Sequence, residues 1–238
     1  STSEQDRHAG HVRAMAEAIH LAKAIGADIA FGTDPDADRM GAAIPNEAGE
    51  FVMLSGNQVG CILIDYLLRH RAETGQILPT DFIVKSFVST RMADAIARHF
   101  GIDCKTIPTG FKYISDAIHQ NPDSHFVFGF EESCGFLADT FVREKDGAIA
   151  SLLLLEVLCE CKKNNKTLYQ HLRSLYGTYG WHKEKVIAAV YEGLDGMDKM
   201  NGIMAGLRAN PPAKLGGQHV IERIDYATGT IMDETGQR

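Results

Sequence analysis

The chain has 238 residues, of which 45% are hydrophobic and 23% charged, a balance that favours a folded globular protein and excludes wholesale disorder. Its 24 lysines and arginines against 31 aspartates and glutamates give a net charge of −7, which argues against a nucleic-acid or anionic-membrane partner. The five cysteines form no C-x-x-C pair, so we expect neither a disulfide framework nor a zinc site, and a cytoplasmic location is the default.

The N-terminal part of the chain predicts one helix and then short strands. Apolar residues at helical spacing end at Gly26, and residues 28–32 form a short apolar run that predicts a buried strand. A turn signal at 46–49 separates two further predicted strands, at 40–44 and 50–54. The N-terminus lacks the apolar stretch of a signal peptide, and we expect it to be a cut end rather than a natural start.

From residue 56 to about residue 163, helices and strands alternate. The predicted elements are helices at 57–72, 90–100, 111–119 and 146–163, and strands at 81–88, 102–107 and 125–130. This order predicts an α/β fold with a layered, mixed or mostly parallel sheet flanked by helices, and functional loops at the carboxyl ends of the strands. The helix at 146–163 is apolar nearly all round at its centre, so we expect it to be the buried one.

The rest of the chain is less regular. We predict a helix at 167–176 and a strand at 183–191. Beyond residue 191 the composition becomes rich in glycine, aspartate and proline, which indicates a linker, broken clearly at Asn210-Pro-Pro. One more strand is predicted at 219–226.

The loop at 33–39 follows the first predicted strand directly and carries alternate aspartates. Asp34, Asp36 and Asp38 can converge on one point, where their carboxylates would repel one another unless a cation neutralised them. Hard oxygen ligands of this kind suit Mg²⁺ or Ca²⁺ rather than zinc or copper. The adjacent Arg39 suggests a phosphate that arrives at the same place. The alternative is a solvated turn whose aspartates cap backbone N–H groups.

Two templates with similar spacing do not fit this loop. An EF-hand needs glycine at its sixth position and glutamate at its twelfth, where this chain has Arg39 and Pro45. A phosphatase motif of the form D-x-D-x-T, counted from Asp34, needs threonine where the chain has Asp38. A divalent-metal phosphatase is therefore a weaker alternative.

A second loop, at 108–113, joins a predicted strand to a predicted helix. Gly110 lets the backbone approach a ligand, the helix N-terminus offers N–H groups, and Lys112 adds a positive charge. The alternative is an ordinary strand-to-helix turn with Thr109 as the helix cap.

A third loop carries Glu131, Glu132 and Ser133 at the end of an apolar strand. Carboxylates accept hydrogen bonds from vicinal hydroxyls, so this loop suits a hydroxyl-rich ligand, although a plain polar strand end is an equal alternative. The charge cluster at 143–147 follows. Either one of its cations faces the same pocket, or Asp146 simply caps the next helix. Taken together, the loops compose a site for a phosphorylated sugar.

This combination resembles the α-D-phosphohexomutases, the phosphoglucomutase/phosphomannomutase superfamily. The loop at 33–39 is similar to the metal loop of that family, D-G-D-x-D-R, with Pro35 in place of the commoner glycine. Further blocks resemble the family in the same order, at 54–58, 108–113, 128–135 and 143–147.

The resemblance implies a Mg²⁺ ion bound by Asp34, Asp36 and Asp38. It implies a sugar phosphate as substrate, contacted by Arg39, Thr109, Gly110, Lys112, Glu131, Ser133 and Lys145. In the family a phosphoserine phosphorylates a hexose phosphate, and the bisphosphorylated sugar turns over and returns the other phosphoryl group. The implied reaction therefore interconverts a sugar 1-phosphate and a sugar 6-phosphate, and fixed cations stabilise the transferring group.

The chain also departs from the family. The catalytic serine of the family lies in a Ser-His-Asn block, which this sequence does not contain, and the phosphate loop of the last domain is absent as well. We therefore expect a fragment that is inactive alone and whose partners are missing domains of the same polypeptide. The expected boundaries are 1–55 for the end of the second domain, 56–190 for the complete third, sugar-binding domain, and 191–238 for a linker and the start of the fourth.

A different class of function stays open at this point. The chain could be a non-catalytic module that binds a sugar phosphate or a divalent cation within another assembly. Sugar specificity is also open, because glucose and mannose differ at one hydroxyl and a phosphopentose is conceivable.

Overall fold

The computed structural model describes residues 4–184, 191, 193 and 195–233. The chain divides into two units, one of residues 6–185 and the other of residues 1–5 together with 186–238. All five cysteines are free thiols, as expected. Among the described residues, no helix is both long enough and apolar enough to cross a membrane.

The elements up to residue 184 follow the predicted alternation closely. The helices are α1 Glu4–Ile25, α2 Gly56–Glu73, α3 Met92–Phe100, α4 Lys112–His119, α5 Gly147–Lys163 and α6 Leu168–Tyr179. The strands are β1 Ala30–Thr33, β2 Met40–Pro45, β3 Phe51–Met53, β4 Asp81–Ser86, β5 Asp103–Ile107, β6 His125–Glu131 and β7 Gly135–Leu137. Several helices start and stop on local signals. For example, Ser55 and Gln58 form a capping box before α2, and left-handed Gly101 ends α3.

A four-stranded sheet in the order β5-β4-β6-β7 forms the centre of the larger unit. Strands β4, β5 and β6 run parallel, and β7 is antiparallel to β6. The mixed, mostly parallel sheet flanked by helices is the fold class that the sequence predicts. We call the edge where Ser86, Ile107 and Glu131 end their strands the carboxyl edge, and the opposite edge the amino edge. Strand β7 is not predicted, because three residues are too short to show a period.

A second sheet, of antiparallel strands in the order β1-β2-β3, presents the charged loop. This loop connects β1 to β2, as predicted. An isolated bridge between Arg39 and Gly135 links the start of β2 to β7 of the larger sheet. The acidic loop is therefore attached directly to the carboxyl edge.

The core lies between the four-stranded sheet and helices α2, α3, α5 and α6. Helix α5 is not buried all round, which corrects the expectation from its composition. Ala150 and Leu154 face the core, while Ile149 and Leu152 are 40% and 59% exposed. A helix that lies on one face of a sheet buries only one stripe, whatever the residues on its other side.

The smaller unit contains more regular structure than its composition predicts. The segment expected to be a linker forms α7, Gly196–Ala209, followed by β8 Lys214–Leu215, β9 Gln218–His219, β10 Glu222–Asp225 and β11 Thr230–Asp233. Glycine lowers helix propensity but does not forbid a helix, and the segment also carries methionine and leucine. The strand predicted at 219–226 is interrupted between β9 and β10. Of the strand predicted at 183–191, residues 183, 184 and 191 are not in a strand, and residues 185–190 lie outside the described part of the chain.

Candidate functional site

Three aspartates converge in the loop between β1 and β2. One carboxylate oxygen from each of Asp34, Asp36 and Asp38 lies within 4.8 Å of the others. The loop turns tightly because the Ala37 N–H donates to the Asp34 carbonyl at 3.0 Å, with Ala37 in the left-handed region at φ 56°. The Arg39 N–H donates to the Asp34 carboxylate at 3.1 Å. The predicted acidic cluster therefore exists as a compact turn.

Two side-chain cations lie against these aspartates. The Lys145 Nζ is 2.5 Å from the Asp38 Oδ2, and the Arg39 Nε lies 3.9 Å from Asp34 and 3.8 Å from Asp38. The Lys145 ammonium holds the pKa of the Asp38 carboxyl below its ordinary value. The other oxygen of Asp38, Oδ1, is buried and has no hydrogen-bond partner among the described residues. The two cations thus pair with Asp34 and Asp38, and Asp36 adds a third carboxylate to the cluster.

The start of α5 holds the loop in place. The Gly147 N–H donates to the Ala37 carbonyl at 3.1 Å. A Cβ at Gly147 would lie only 2.9 Å from the carbonyl oxygens of Ala37 and Arg39, so glycine is required for this approach. Asp146 caps α5 by accepting from the Ile149 N–H at 2.9 Å. The capping role considered for Asp146 is confirmed, and the same turn brings Lys145 to the aspartates.

Glu131 ties the second loop to the third. Its side chain is only 8% exposed, and its Oε1 accepts from the Gly110 N–H at 2.7 Å. Gly110 has φ 122°, a conformation that other residues rarely adopt. Thr109 does not cap the following helix, because the N-cap position belongs to Phe111 and carries no side-chain cap bond. Two loops that are separate in sequence thus meet at the carboxyl edge.

The neighbouring glutamate has a partner that the sequence analysis misses. The Glu132 Oε2 accepts from the Ser86 Oγ at 2.8 Å and from the Ser89 Oγ at 3.5 Å. These serines end β4 and begin the loop that follows it. The sequence signal is a pair of serines three residues apart at a strand end. It indicates a contact with Glu132 only when the pairing of β4 with β6 is known.

The side chain of Lys145, two residues before α5, reaches the acidic loop past two other residues. Its Nζ lies 5.8 Å from the centre of the Phe111 ring, and a Cβ at Gly135 would lie 2.6 Å from its Cδ. Phe111 belongs to the second loop and Gly135 to the third. The three predicted loops and the charge cluster at 143–147 therefore come together in one region.

The predicted site residues fall into three groups: an ionic cluster, a hydrogen-bonded pair and a set of exposed side chains. Asp34, Asp36, Asp38, Arg39 and Lys145 form one ionic cluster, and Gly110 with Glu131 forms one hydrogen bond. The exposed side chains on the loops of the same edge are Thr109, Lys112 and Ser133. The Lys112 ammonium lies 4.9 Å from the centre of the Tyr113 ring.

The acidic loop fits a hard divalent cation. Its ligands are all carboxylate oxygens, they can reach one point, and Asp38 keeps a buried oxygen without a hydrogen bond. Oxygen donors of this kind suit Mg²⁺. The nearby Arg39 and Lys145 could hold the oxygens of a phosphate.

Three comparisons relate this chain to known proteins. The family model described as phosphoglucomutase/phosphomannomutase, alpha/beta/alpha domain III, matches residues 55–179. A phosphoglucomutase of Staphylococcus aureus is 36% identical over 220 residues, which cover 92% of this chain and 39% of the relative. The chain thus spans about two fifths of the length of the curated relatives it matches.

Solved structures give a consistent fold. A putative phosphomannomutase from Thermus thermophilus is similar over 64% of this chain and 31% of its own, with a TM-score of 0.51 and 29% identity. A phosphoglucomutase/phosphomannomutase family protein from Burkholderia thailandensis covers 93% of this chain and 45% of its own. Its TM-score is 0.61 at 16% identity, which shows a shared fold.

Proposed function

Because this chain belongs to the phosphoglucomutase/phosphomannomutase family, we propose that it is part of a Mg²⁺-dependent enzyme that interconverts a sugar 1-phosphate and a sugar 6-phosphate. The observation that carries this proposal is the convergence of Asp34, Asp36 and Asp38 beside Arg39 and Lys145. An acidic cluster with cations at the edge of a parallel sheet is suited to a metal and a phosphate together.

We assign the domains and partners as the resemblance implies. Residues 1–55 would be the end of the second mutase domain, 56–190 the third and 191–238 a linker with the start of the fourth. The match of the domain III model to 55–179 and the greater length of the relatives support this division. The phosphoserine would come from another domain of the same polypeptide. The cytoplasmic location and the absence of nucleic-acid and membrane partners stay predictions.

Each residue has a role in this proposal. Asp34, Asp36 and Asp38 would hold the metal, which when bound stabilises negative charge on the transferring phosphoryl group. Arg39 presents a planar guanidinium that can bind a phosphate through two parallel hydrogen bonds, and Lys145 adds a point charge beside it.

The sugar would lie against the second and third loops. Glu131 holds Gly110 with one carboxylate oxygen, and we assign its other oxygen to a sugar hydroxyl. Thr109 and Ser133 offer exposed hydroxyl groups, and Lys112 an exposed ammonium. Because Glu131 is fixed by the Gly110 backbone, its orientation would be set before the sugar binds.

The absence of a Ser-His-Asn block supports a second candidate, a non-catalytic module that binds a sugar phosphate or a divalent cation. The two candidates differ in what the full-length polypeptide does. Under both candidate functions, we expect the purified 238-residue chain by itself to convert no glucose 1-phosphate. Conversion by this chain alone would contradict the proposed need for a serine from another domain.

The metal assignment is tested by calorimetric titration of the chain with Mg²⁺. We expect Asp36→Asn to weaken binding at least about tenfold, since it removes a charged ligand. Asp123→Asn makes the same charge change at an exposed position before β6 and should leave binding unchanged. Equal affinities in the wild type and Asp36→Asn would remove the metal-loop assignment.

The activity is tested in the full-length polypeptide with glucose 1-phosphate, mannose 1-phosphate and ribose 1-phosphate compared. We expect at least one hexose phosphate to be converted, with kcat/KM reduced by Asp36→Asn and unchanged by Asp123→Asn. Sugar-phosphate binding without conversion of any of the three would favour the non-catalytic module.

A further inference from the structure

Lys145 occupies an unusual place for a residue expected to bind a substrate phosphate. Its Nζ lies 2.5 Å from the Asp38 Oδ2, and its side chain is only 15% exposed. Asp38 is one of the three carboxylates that converge in the acidic loop. In this contact the Asp38 carboxylate partly neutralises the ammonium, which weakens the attraction of Lys145 for an incoming phosphate.

The path of this side chain is set by its surroundings. The stem passes Gly135, where a Cβ would come within 2.6 Å of the Lys145 Cδ and 3.0 Å of its Cγ. The ammonium lies 5.8 Å from the Phe111 ring centre. The lysine itself follows Glu144 and precedes the N-cap Asp146, whose bond to α5 fixes the backbone. The ion pair is thus the product of a fixed route rather than of a freely moving surface chain.

The excess negative charge of the loop favours the binding of a divalent cation over the monovalent ammonium of Lys145. Arg39 and Lys145 pair with Asp34 and Asp38, and Asp36 adds a third carboxylate beside them, so the cluster keeps a net negative charge. A divalent ion bound by the same carboxylates would lie close to the Lys145 ammonium and repel it. The lysine and the metal therefore compete for Asp38.

We propose that Lys145 is the resident counter-ion of the acidic loop, which a divalent metal displaces from Asp38, so that metal loading frees this ammonium for the substrate phosphate. This inference rests on the proposed metal site. By linkage, an anion that attracts Lys145 away from Asp38 raises the affinity for the metal, and the metal raises the affinity for the anion by the same factor.

The experiment measures the dissociation constant of Mg²⁺ by calorimetry, without turnover. Lys145→Met removes the charge and keeps the length of the side chain, and we expect it to bind Mg²⁺ about tenfold more tightly than the wild type. This is the scale that Coulomb's law gives in water for the Lys145–Asp38 ion pair, which the metal must break in the wild type. Lys145→Arg keeps the charge and should stay within about twofold of the wild type.

The matched control is Lys162→Met. Lys162 lies in the last turn of α5, at the opposite end of the helix from Lys145, and pairs with Asp28, so its loss should leave the Mg²⁺ affinity unchanged. An unchanged or weaker affinity in Lys145→Met would overturn the inference, and so would equal tightening in Lys145→Arg or Lys162→Met.

A second titration uses inorganic phosphate, with and without Mg²⁺. We expect Mg²⁺ to raise phosphate affinity more in the wild type than in Lys145→Met, and an equal rise in both would overturn the release of the lysine. Failure of the metal site itself gives a different pattern. In that case Asp36→Asn and the wild type bind Mg²⁺ equally, or no variant binds it at all. If only the inference about Lys145 fails, Asp36→Asn still binds Mg²⁺ more weakly than the wild type, and Lys145→Met binds it with unchanged affinity.

Discussion

The two edges of the central sheet each carry an ionic cluster, and the clusters differ in how completely their carboxylates are paired. At the amino edge, Asp81 is fully buried. Its Oδ2 accepts from the Leu78 N–H at 3.1 Å and lies 3.2 Å from the Arg71 Nη2, and its Oδ1 lies 3.0 Å from the His125 Nδ1. At the carboxyl edge, three aspartates that are partly open to solvent lie together, and the two neighbouring cations pair with Asp34 and Asp38.

This difference separates a structural cluster from a binding site. Burying a carboxylate is tolerated when each of its oxygens is paired, and the paired cluster then has no capacity left for a ligand. The neighbouring cleft of about 370 Å³ is lined by Arg71 and His70, whose side chains already contact Asp81 and Glu160 respectively. A cluster with surplus negative charge, such as that of the acidic loop, instead gains by binding a cation.

We expect the greatest loss of stability from a substitution that disrupts the amino-edge cluster. Asp81→Ala removes the carboxylate partner of the partly buried Arg71, which keeps its hydrogen bond to the Gln76 carbonyl, and we expect the free energy of unfolding to fall by about 3 kcal/mol. Chemical denaturation measures this change. Mg²⁺ affinity should stay within about twofold, because the acidic loop lies at the other edge.

The control for this variant is Asp103→Ala, which removes an exposed carboxylate that pairs with Lys105 on β5. We expect it to cost less than about 0.5 kcal/mol. If the two variants lost similar amounts of unfolding free energy, the buried cluster would contribute no more to stability than a surface ion pair does.

A smaller effect is expected where α5 approaches the acidic loop. In Gly147→Ala the new Cβ would lie 2.9 Å from two carbonyl oxygens of that loop, so the loop must move. We expect a loss of about 2 kcal/mol in the free energy of unfolding, with weaker Mg²⁺ binding. Denaturation and calorimetry on the same variant measure both.

Gly177→Ala is the matched control, because nothing lies within 4 Å of a Cβ added at this position in α6. Alanine has the higher helix propensity, so this variant should be more stable by about 0.5–1 kcal/mol. If the two alanine variants changed stability in the same direction, the close approach at Gly147 would not be limiting.

The smallest effect concerns the turn of the acidic loop. Ala37 has φ 56°, which is unfavourable for a residue with a Cβ. We expect Ala37→Gly to leave the free energy of unfolding unchanged or to raise it by up to about 1 kcal/mol, since relief of the strain offsets the added chain entropy. The same change at the exposed Ala16 of α1 should cost about 1 kcal/mol, and an equal cost at Ala37 would show that the turn is not strained.

Most of the larger unit could be predicted from the sequence because its signals are local. Apolar periods and glycine stops place α2 and α3 to within two residues, and the acidic loop falls after β1 as its position predicts. Predictions fail where a long-range contact determines whether an element forms, or where the local signal for the element is weak. Strand β7 exists through pairing with β6, and helix α7 forms in a segment whose glycines suggested a linker.

The α/β class, the resemblance to a mutase family and the three aspartates of the acidic loop follow from the sequence, since these depend on residue type and spacing along the chain. Which groups those residues meet depends on the fold. Lys145 reaches Asp38 because Gly135 leaves room for its stem, and Gly147 brings α5 against the turn. Contacts between residues far apart in the chain depend on the packing of strands and helices, which no local pattern specifies.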